Sequence, residues 1–157
     1  MQIYLIVLGA FMDLKLKMGL EWILGIIREN NIDYQITGGL AAHLYGSERE
    51  VYDIDIEVYD IDVYKLADYC REYVIYGPER YMDENFDLLL MTLDFGGQYI
   101  DICGIETMYI RGELQGVDLS TSVEVDGMKV VLKSDLIEYK RLLGREVDLV
   151  DISNIAE

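Results

Sequence analysis

Residues Val51–Val58, VYDIDIEV, set two aspartates, Asp53 and Asp55, at alternate positions among β-branched residues. Side chains of a strand alternate between its faces. Ile54, Ile56 and Val58 would therefore share one face and Asp53, Asp55 and Glu57 the other, with the two aspartates roughly 7 Å apart. Carboxylates paired in this way hold divalent cations, and such cations bridge phosphate oxygens. The letters VYDID return at Val58–Asp62, seven residues on. That odd offset would turn Asp60 and Asp62 to the opposite face of a continued strand, so they cannot join the first pair. The second copy is expected to cap a helix, and only the first reads as chemical. A calcium loop of the EF-hand type fails because Val58 stands where the loop needs glycine and Ile54 and Ile56 would be wasted. One long helix with acids at heptad spacing conflicts with the strict alternation.

Something must position the pair. Upstream, Tyr34–Thr37 is short and β-prone, Gly38-Gly39 stops it, and Leu40–Tyr45 reads as a helix starting directly from the glycines. Glycines let a backbone approach a ligand closely, and a helix start offers N–H groups to an anion. With two acids nearby, these parts suit a nucleoside triphosphate whose charge magnesium neutralises. Neither GxxxxGK[ST] nor GxGxxG occurs, so the commoner phosphate-binding loops are not available as explanations.

The other elements supply the scaffold. Apolar residues Leu16, Leu20, Ile23, Leu24 and Ile27 predict a helix over Leu14–Glu29 that ends at NNID. Asp60 or Asp62 is expected to cap a helix reaching Tyr73, with Val63, Leu66, Ala67 and Cys70 inward. Asp87–Phe95 reads as a buried strand, Gly96-Gly97 as its turn, and Gln98–Cys103 as the return. Asp126–Met128 should join Ser122–Val125 to Lys129–Leu132 in a second hairpin. Ser134 would cap a helix through Leu143 that Gly144 ends, and Val147–Ala156 forms another. The class is α/β (α+β), a mixed β-sheet with flanking helices rather than a regular βαβ alternation.

At 157 residues and 52% hydrophobic, the chain reads as one folded domain, 1–157, with its C-terminal helices in 134–157. A net charge of -17 discourages direct nucleic-acid binding and fits a cationic small substrate, a basic protein partner or a solvated surface. Cys70 and Cys103 form no CxxC and are expected to be free thiols in a reducing cytoplasm. Few Gln, Asn and His beside many Ile, Glu and Tyr point to a thermophilic source. The apolar N-terminal segment 1–12 is too short to span a membrane and lacks the marks of a signal peptide. It is expected to pack or to form a homodimer, and the internal Met12 and Met18 leave the true start open.

Ile36–Val58, ITGGLAAHLYGSEREVYDIDIEV, resembles the signature of the nucleotidyltransferase superfamily, whose catalytic fold is that of DNA polymerase beta. It is especially similar to the small prokaryotic branch of lincosamide and aminoglycoside nucleotidyltransferases and nucleotidyltransferase toxins. The C-terminal LIEYKRLLGREVDLVDI resembles the same branch, with Lys140, Arg145, Asp148 and Asp151 at its basic and acidic places. The chain departs from the pattern at Val51, where Thr or Ser is frequent, and at Val147, where Lys is usual.

The resemblance implies that Asp53 and Asp55 ligate two magnesium ions, with a third carboxylate acting as base toward an acceptor hydroxyl. Asp101 in YIDIC is the candidate, and Asp94 at the hairpin end the runner-up. Gly38, Gly39, Arg49 and Lys140 would bind the triphosphate. His43 is expected to pack rather than to ligate. The implied activity is transfer of a nucleoside monophosphate from an NTP to a hydroxyl of a small molecule, protein or RNA, the acceptor being bound by a partner subunit or an open face. The alternative is a non-catalytic antitoxin or scaffold that binds a basic protein.

Overall fold

The structure, a computed structural model, describes residues 13–155. The N-terminal segment 1–12 lies outside the described residues. Helix α1, Leu14–Glu29, forms where the periodicity places it. Asp13 caps it, its Oδ1 accepting from Leu16 N at 2.8 Å, and Leu16, Leu20, Ile23, Leu24 and Ile27 are buried along one stripe.

Strand β1 (Gln35–Thr37) runs into α2 (Gly38–Leu44), which begins on the glycines themselves rather than after them. Strand β2 is Ile54–Val58, so Asp53 sits on the bend before the strand and not within it. The second VYDID copy opens α3 (Asp60–Tyr69), but not as a side-chain cap: Tyr59 holds the cap position and Asp60 is the first helical residue. Asp60 instead accepts from Glu106 N and Thr107 Oγ1, while Glu106 accepts from Asp60 N, so the acid ties α3 to the end of a neighbouring strand. Helix α3 stops at Tyr69, and a short 3₁₀ turn occupies Arg71–Tyr73.

Strands β3 (Val74–Met82), β4 (Phe86–Phe95) and β5 (Gln98–Gly104) follow, then the short β6 (Tyr109–Ile110) and β7 (Glu113–Leu114). Strands β8 (Val123–Val125) and β9 (Met128–Val130) form the second hairpin, turning at Asp126 and Gly127 with φ of 52° and 82°. That is the primed geometry a two-residue hairpin needs. Helix α4 spans Lys133–Leu143 with Leu132, not Ser134, at its cap. Gly144 closes it at φ 63°, and α5 spans Glu146–Ile155.

Among the described residues the strands make one nine-stranded mixed sheet in the order β7-β6-β4-β5-β2-β1-β9-β8, with β3 also paired to β4. One face is apolar. Ile54, Ile56 and Val58 of β2 and Ile100 and Ile102 of β5 are fully buried in a cluster with α1 and with Val63 and Leu66 of α3. Leu40, Ala41 and Ala42 of α2, Leu136 of α4 and Ile155 of α5 join the same cluster, while every second residue of those strands faces the other way, where Tyr139 of α4 borders them. A smaller cluster on that side joins Leu88, Met108, Ile110 and Leu143 with the partly buried Tyr139. No helix of the described residues is long and apolar enough to cross a membrane.

Candidate active site

Strand register decides which acids meet. Asp55 of β2 lies beside Asp101 of the parallel β5, Thr37 of β1 flanks Asp55 on its other side, and Thr92 of β4 flanks Asp101. Adjacent strands are about 4.8 Å apart, so the row Thr37–Asp55–Asp101–Thr92 crosses the sheet on one face. Thr92 Oγ1 donates to Asp101 Oδ1 at 2.6 Å. The next row on the same face is Gln35–Glu57–Cys103–Leu90, in which Gln35 Nε2 donates to Glu57 Oε1 at 2.8 Å.

Asp53, Asp55 and Asp101 open into one cleft of about 540 Å³, together with Gly38, Gly39, Arg49, Lys140 and Arg145. Asp94, the runner-up for the third carboxylate, stays at the β4–β5 turn and accepts from Gly97 N at 2.8 Å. His43 does not border the cleft. Cys70 is buried in the core and Cys103 lines the cleft, both as free thiols.

The glycine pair does something the sequence did not disclose. A Cβ on Gly38 would overlap the Asp55 carboxylate, and Gly38 has φ +65°, where L side chains are strained. A Cβ on Gly39 would stand 3.1 Å from Arg49 Nη2. The two glycines therefore make room for the protein's own acid and base against the start of α2.

The acids are held in an unfavourable state. Burial, then the negative charges of Asp101 and Asp53, push Asp55 up to about 7, with Lys140 opposing. Asp101 is raised by burial and by Asp53, against the Thr92 hydrogen bond, and Asp53 at the exposed rim is raised by desolvation against Lys15. Burial pushes Glu57 up to about 7 despite its hydrogen bond from Gln35.

Behind the cleft's basic residues, buried carboxylates neutralise them. Arg49 grips Asp151 with Nη2 at 2.8 Å and Nε at 3.0 Å, and Ser47 Oγ donates to the same carboxylate at 2.7 Å. Lys140, with its side chain 2% exposed, bridges Asp151 at 2.9 Å and Asp148 at 3.3 Å. Arg145 Nε donates to Asp148 at 2.7 Å and its guanidinium lies over the Phe86 ring at 5.6 Å. Burial would raise Asp151, but hydrogen bonds from Arg49, Ser47 and Lys140 outweigh it and hold the carboxyl down at about 2. Lys140 is thus committed to two buried acids, whereas Arg49 and Arg145 keep side-chain exposures of 27% and 43%.

Magnesium fits the donor chemistry. The three aspartates offer hard oxygen ligands only, and the repulsion that raises Asp55 is what a bound cation relieves. Among the described residues no three His, Cys, Asp or Glu side chains converge closely enough to enclose one ion. The acids offer one or two ligands at a time along a shared face, which suits an ion that retains waters and completes its shell with substrate phosphates.

Two residues of this face were not assigned from the sequence. Thr92 had a signal, being the one polar residue inside the run Leu88–Leu93. Glu57 had one too, as the third acid in the alternation DIDIE.

No protein-family model and no curated protein matches the sequence. Solved structures do match. A Thermotoga maritima protein provisionally described as a nucleotidyltransferase is 25% identical, over 80% of this chain and 83% of that one, with a TM-score of 0.65. The lincosamide antibiotic adenylyltransferase LnuA, in its lincomycin-bound form, is 16% identical over 88% and 94% of the two chains, with a TM-score of 0.58. ANT(2")-Ia in complex with adenylyl-2"-tobramycin is 14% identical over 88% and 96%, with a TM-score of 0.53. The last two likenesses are of fold. The chain shares the fold of these nucleotidyltransferases, and the neighbour at 25% identity supports an enzyme of that class.

Proposed function

We propose that the protein transfers a nucleoside monophosphate from an NTP to a hydroxyl of a small molecule, protein or RNA, with magnesium. The observation that carries this reading is the side-by-side register of Asp55 and Asp101, with Asp53 at the rim of the same cleft. Asp53, Asp55 and Asp101 would hold the metal, which when bound neutralises the triphosphate and stabilises the entering and leaving oxygens.

The chain's own residues do the rest. Asp151 fixes Arg49 through Nε and Nη2, which leaves Nη1 for a phosphate oxygen. Gly38 and Gly39 keep the start of α2 clear of side chains where Asp55 and Arg49 approach it. Lys140 acts at a distance: its buried charge lowers the cost of ionising Asp55 and holds Asp148 and Asp151 in place. Thr92 occupies one oxygen of Asp101, so the other is oriented to take the proton of the acceptor hydroxyl as it attacks the α-phosphorus. Burial raises the proton affinity of Asp101 above that of an ordinary aspartate, which favours this role.

The test is to incubate the protein with each α-labelled NTP, magnesium and a panel of hydroxyl acceptors, reading pyrophosphate and the nucleotidylated product. Wild type should release both and Asp101→Asn neither. A wild type that binds no NTP in magnesium would replace this reading with a non-catalytic antitoxin or scaffold for a basic protein.

A further inference from the structure

Behind Tyr139 lies a second cavity of about 390 Å³ that shares Thr37, Glu57, Met108 and Tyr139 with the cleft as common walls. Glu113, Asp118, Asp135 and Glu138 also border it, and no Lys, Arg or His does. Acidity alone would describe a solvated surface. What separates this cavity from one is Gln35, which lines it at 2% exposure. Its Nε2 is given to Glu57, and its Oε1 is a buried acceptor with no hydrogen-bond partner. Buried acceptors are seldom left unpaired, so this position calls for a donor brought from outside.

The form of the donor follows from the walls. The acids of this cavity come from four parts of the chain, Glu57, Glu113, Asp118 and the helical pair Asp135 and Glu138, and no phosphate-binding base stands with them to complete a metal–substrate site. Carboxylates from several parts of the wall, with the unpartnered Gln35 amide oxygen among them, fit separated N–H donors that carry positive charge. The volume suits a small organic molecule.

We propose that this cavity binds a small organic amine, with one ammonium donating to Gln35 Oε1 and Glu57 and a second nitrogen lying along Asp135 and Glu138. Through the shared walls its occupancy reaches the catalytic cleft. The amine is either a substituent of the acceptor, a role that rests on the transfer reading above, or an effector that does not depend on it.

Spermidine is titrated calorimetrically into the full chain without nucleotide, beside tetramethylammonium, a cation with no N–H. Spermidine should bind at one site and tetramethylammonium should not. Asp135→Asn/Glu138→Gln, at exposed helix positions, should weaken spermidine by about tenfold or more. Gln35→Met should do the same where it folds, and the helix variant carries the test where it does not. Equal binding of both cations, or no effect of the helix variant, overturns the proposal. Asp53→Asn/Asp55→Asn should keep spermidine binding, so loss of the NTP site and loss of the amine site are read separately. With magnesium and NTP present, a nucleotidylated 4-amino-1-butanol identifies the amine as part of the acceptor. A changed NTP affinity without that adduct identifies an effector, and the absence of both overturns the coupling to the cleft.

Discussion

Two groups of carboxylates attend one cleft, Asp53, Asp55 and Asp101 lining it and Asp148 and Asp151 buried behind its Arg49, Lys140 and Arg145, and the protein treats them in opposite ways. Asp148 and Asp151, on α5, have their cations built in: Arg145, Lys140 and Arg49 reach them from three parts of the chain, and Asp151 is held down at about 2. Asp53, Asp55 and Asp101 sit beside one another on the sheet, are all raised, and have the already committed Lys140 and Lys15 as opposing charges. Burial raises members of both groups, so burial alone does not separate them. The difference is whether the counter-charge comes from the fold or must come from solution. That one acid cluster is fully satisfied and its neighbour left repelling supports the cation site proposed for the neighbour.

Removing an acid should therefore have opposite consequences on the two sides. Asp101→Asn or Asp55→Asn is expected to lower transfer activity by about 10²–10⁴-fold while leaving the melting temperature unchanged or higher, since a repelling charge is lost. A parallel activity assay and thermal melt checks this, and a clear loss of stability would break the contrast. Asp151→Asn should do the reverse to the fold, costing about 3–5 kcal/mol because Lys140 is left buried with one partner fewer. Denaturant unfolding measures it, and a loss below about 1 kcal/mol would mean the network is worth no more than a surface pair.

Gly38→Ala is smaller in stability, about 1–2 kcal/mol for the left-handed backbone, yet should impair activity more than that loss suggests, because the added Cβ displaces Asp55. An alanine variant with unimpaired turnover would remove the glycine from the account.

The contrast also predicts a pH slope. Asp55, held up to about 7, keeps its proton in the folded chain while the unfolded chain sheds it near 3.8. Stability should therefore fall as pH rises from about 4 to about 7 and stay level above. Asp151 contributes in full above 3.8 and loses its share as pH falls toward 2. Asp55→Asn should make the first limb shallower, Glu57 keeping its own share up to about 7, and leave the acid limb alone, which unfolding curves at several pH values will show.

How much of this was readable from the sequence follows from sequence distance. Alternation in IDIEV, the helical stripe of α1 and the Asp126-Gly127 turn are local signals, and each element stands where its signal put it. Asp53 was expected inside the strand, yet β2 begins one residue later, since alternation does not say where pairing starts. Strand β3 was missed because Gly77-Pro78 and the charged Glu79-Arg80 interrupt it, and the chain absorbs them in register shifts against β4. The Arg49–Asp151 pair spans 102 residues, and no local pattern announces it. The same holds for Asp55 beside Asp101, which depends on two strands 46 residues apart being neighbours in the sheet.

The most direct test is calorimetric titration of the four NTPs, with and without magnesium, into wild type, Asp53→Asn/Asp55→Asn and Asp60→Asn/Asp62→Asn. The account predicts magnesium-dependent binding that disappears in the first double variant and survives in the second, although both alter a VYDID copy. Absence of NTP binding in wild type, or binding indifferent to Asp53 and Asp55, would contradict it.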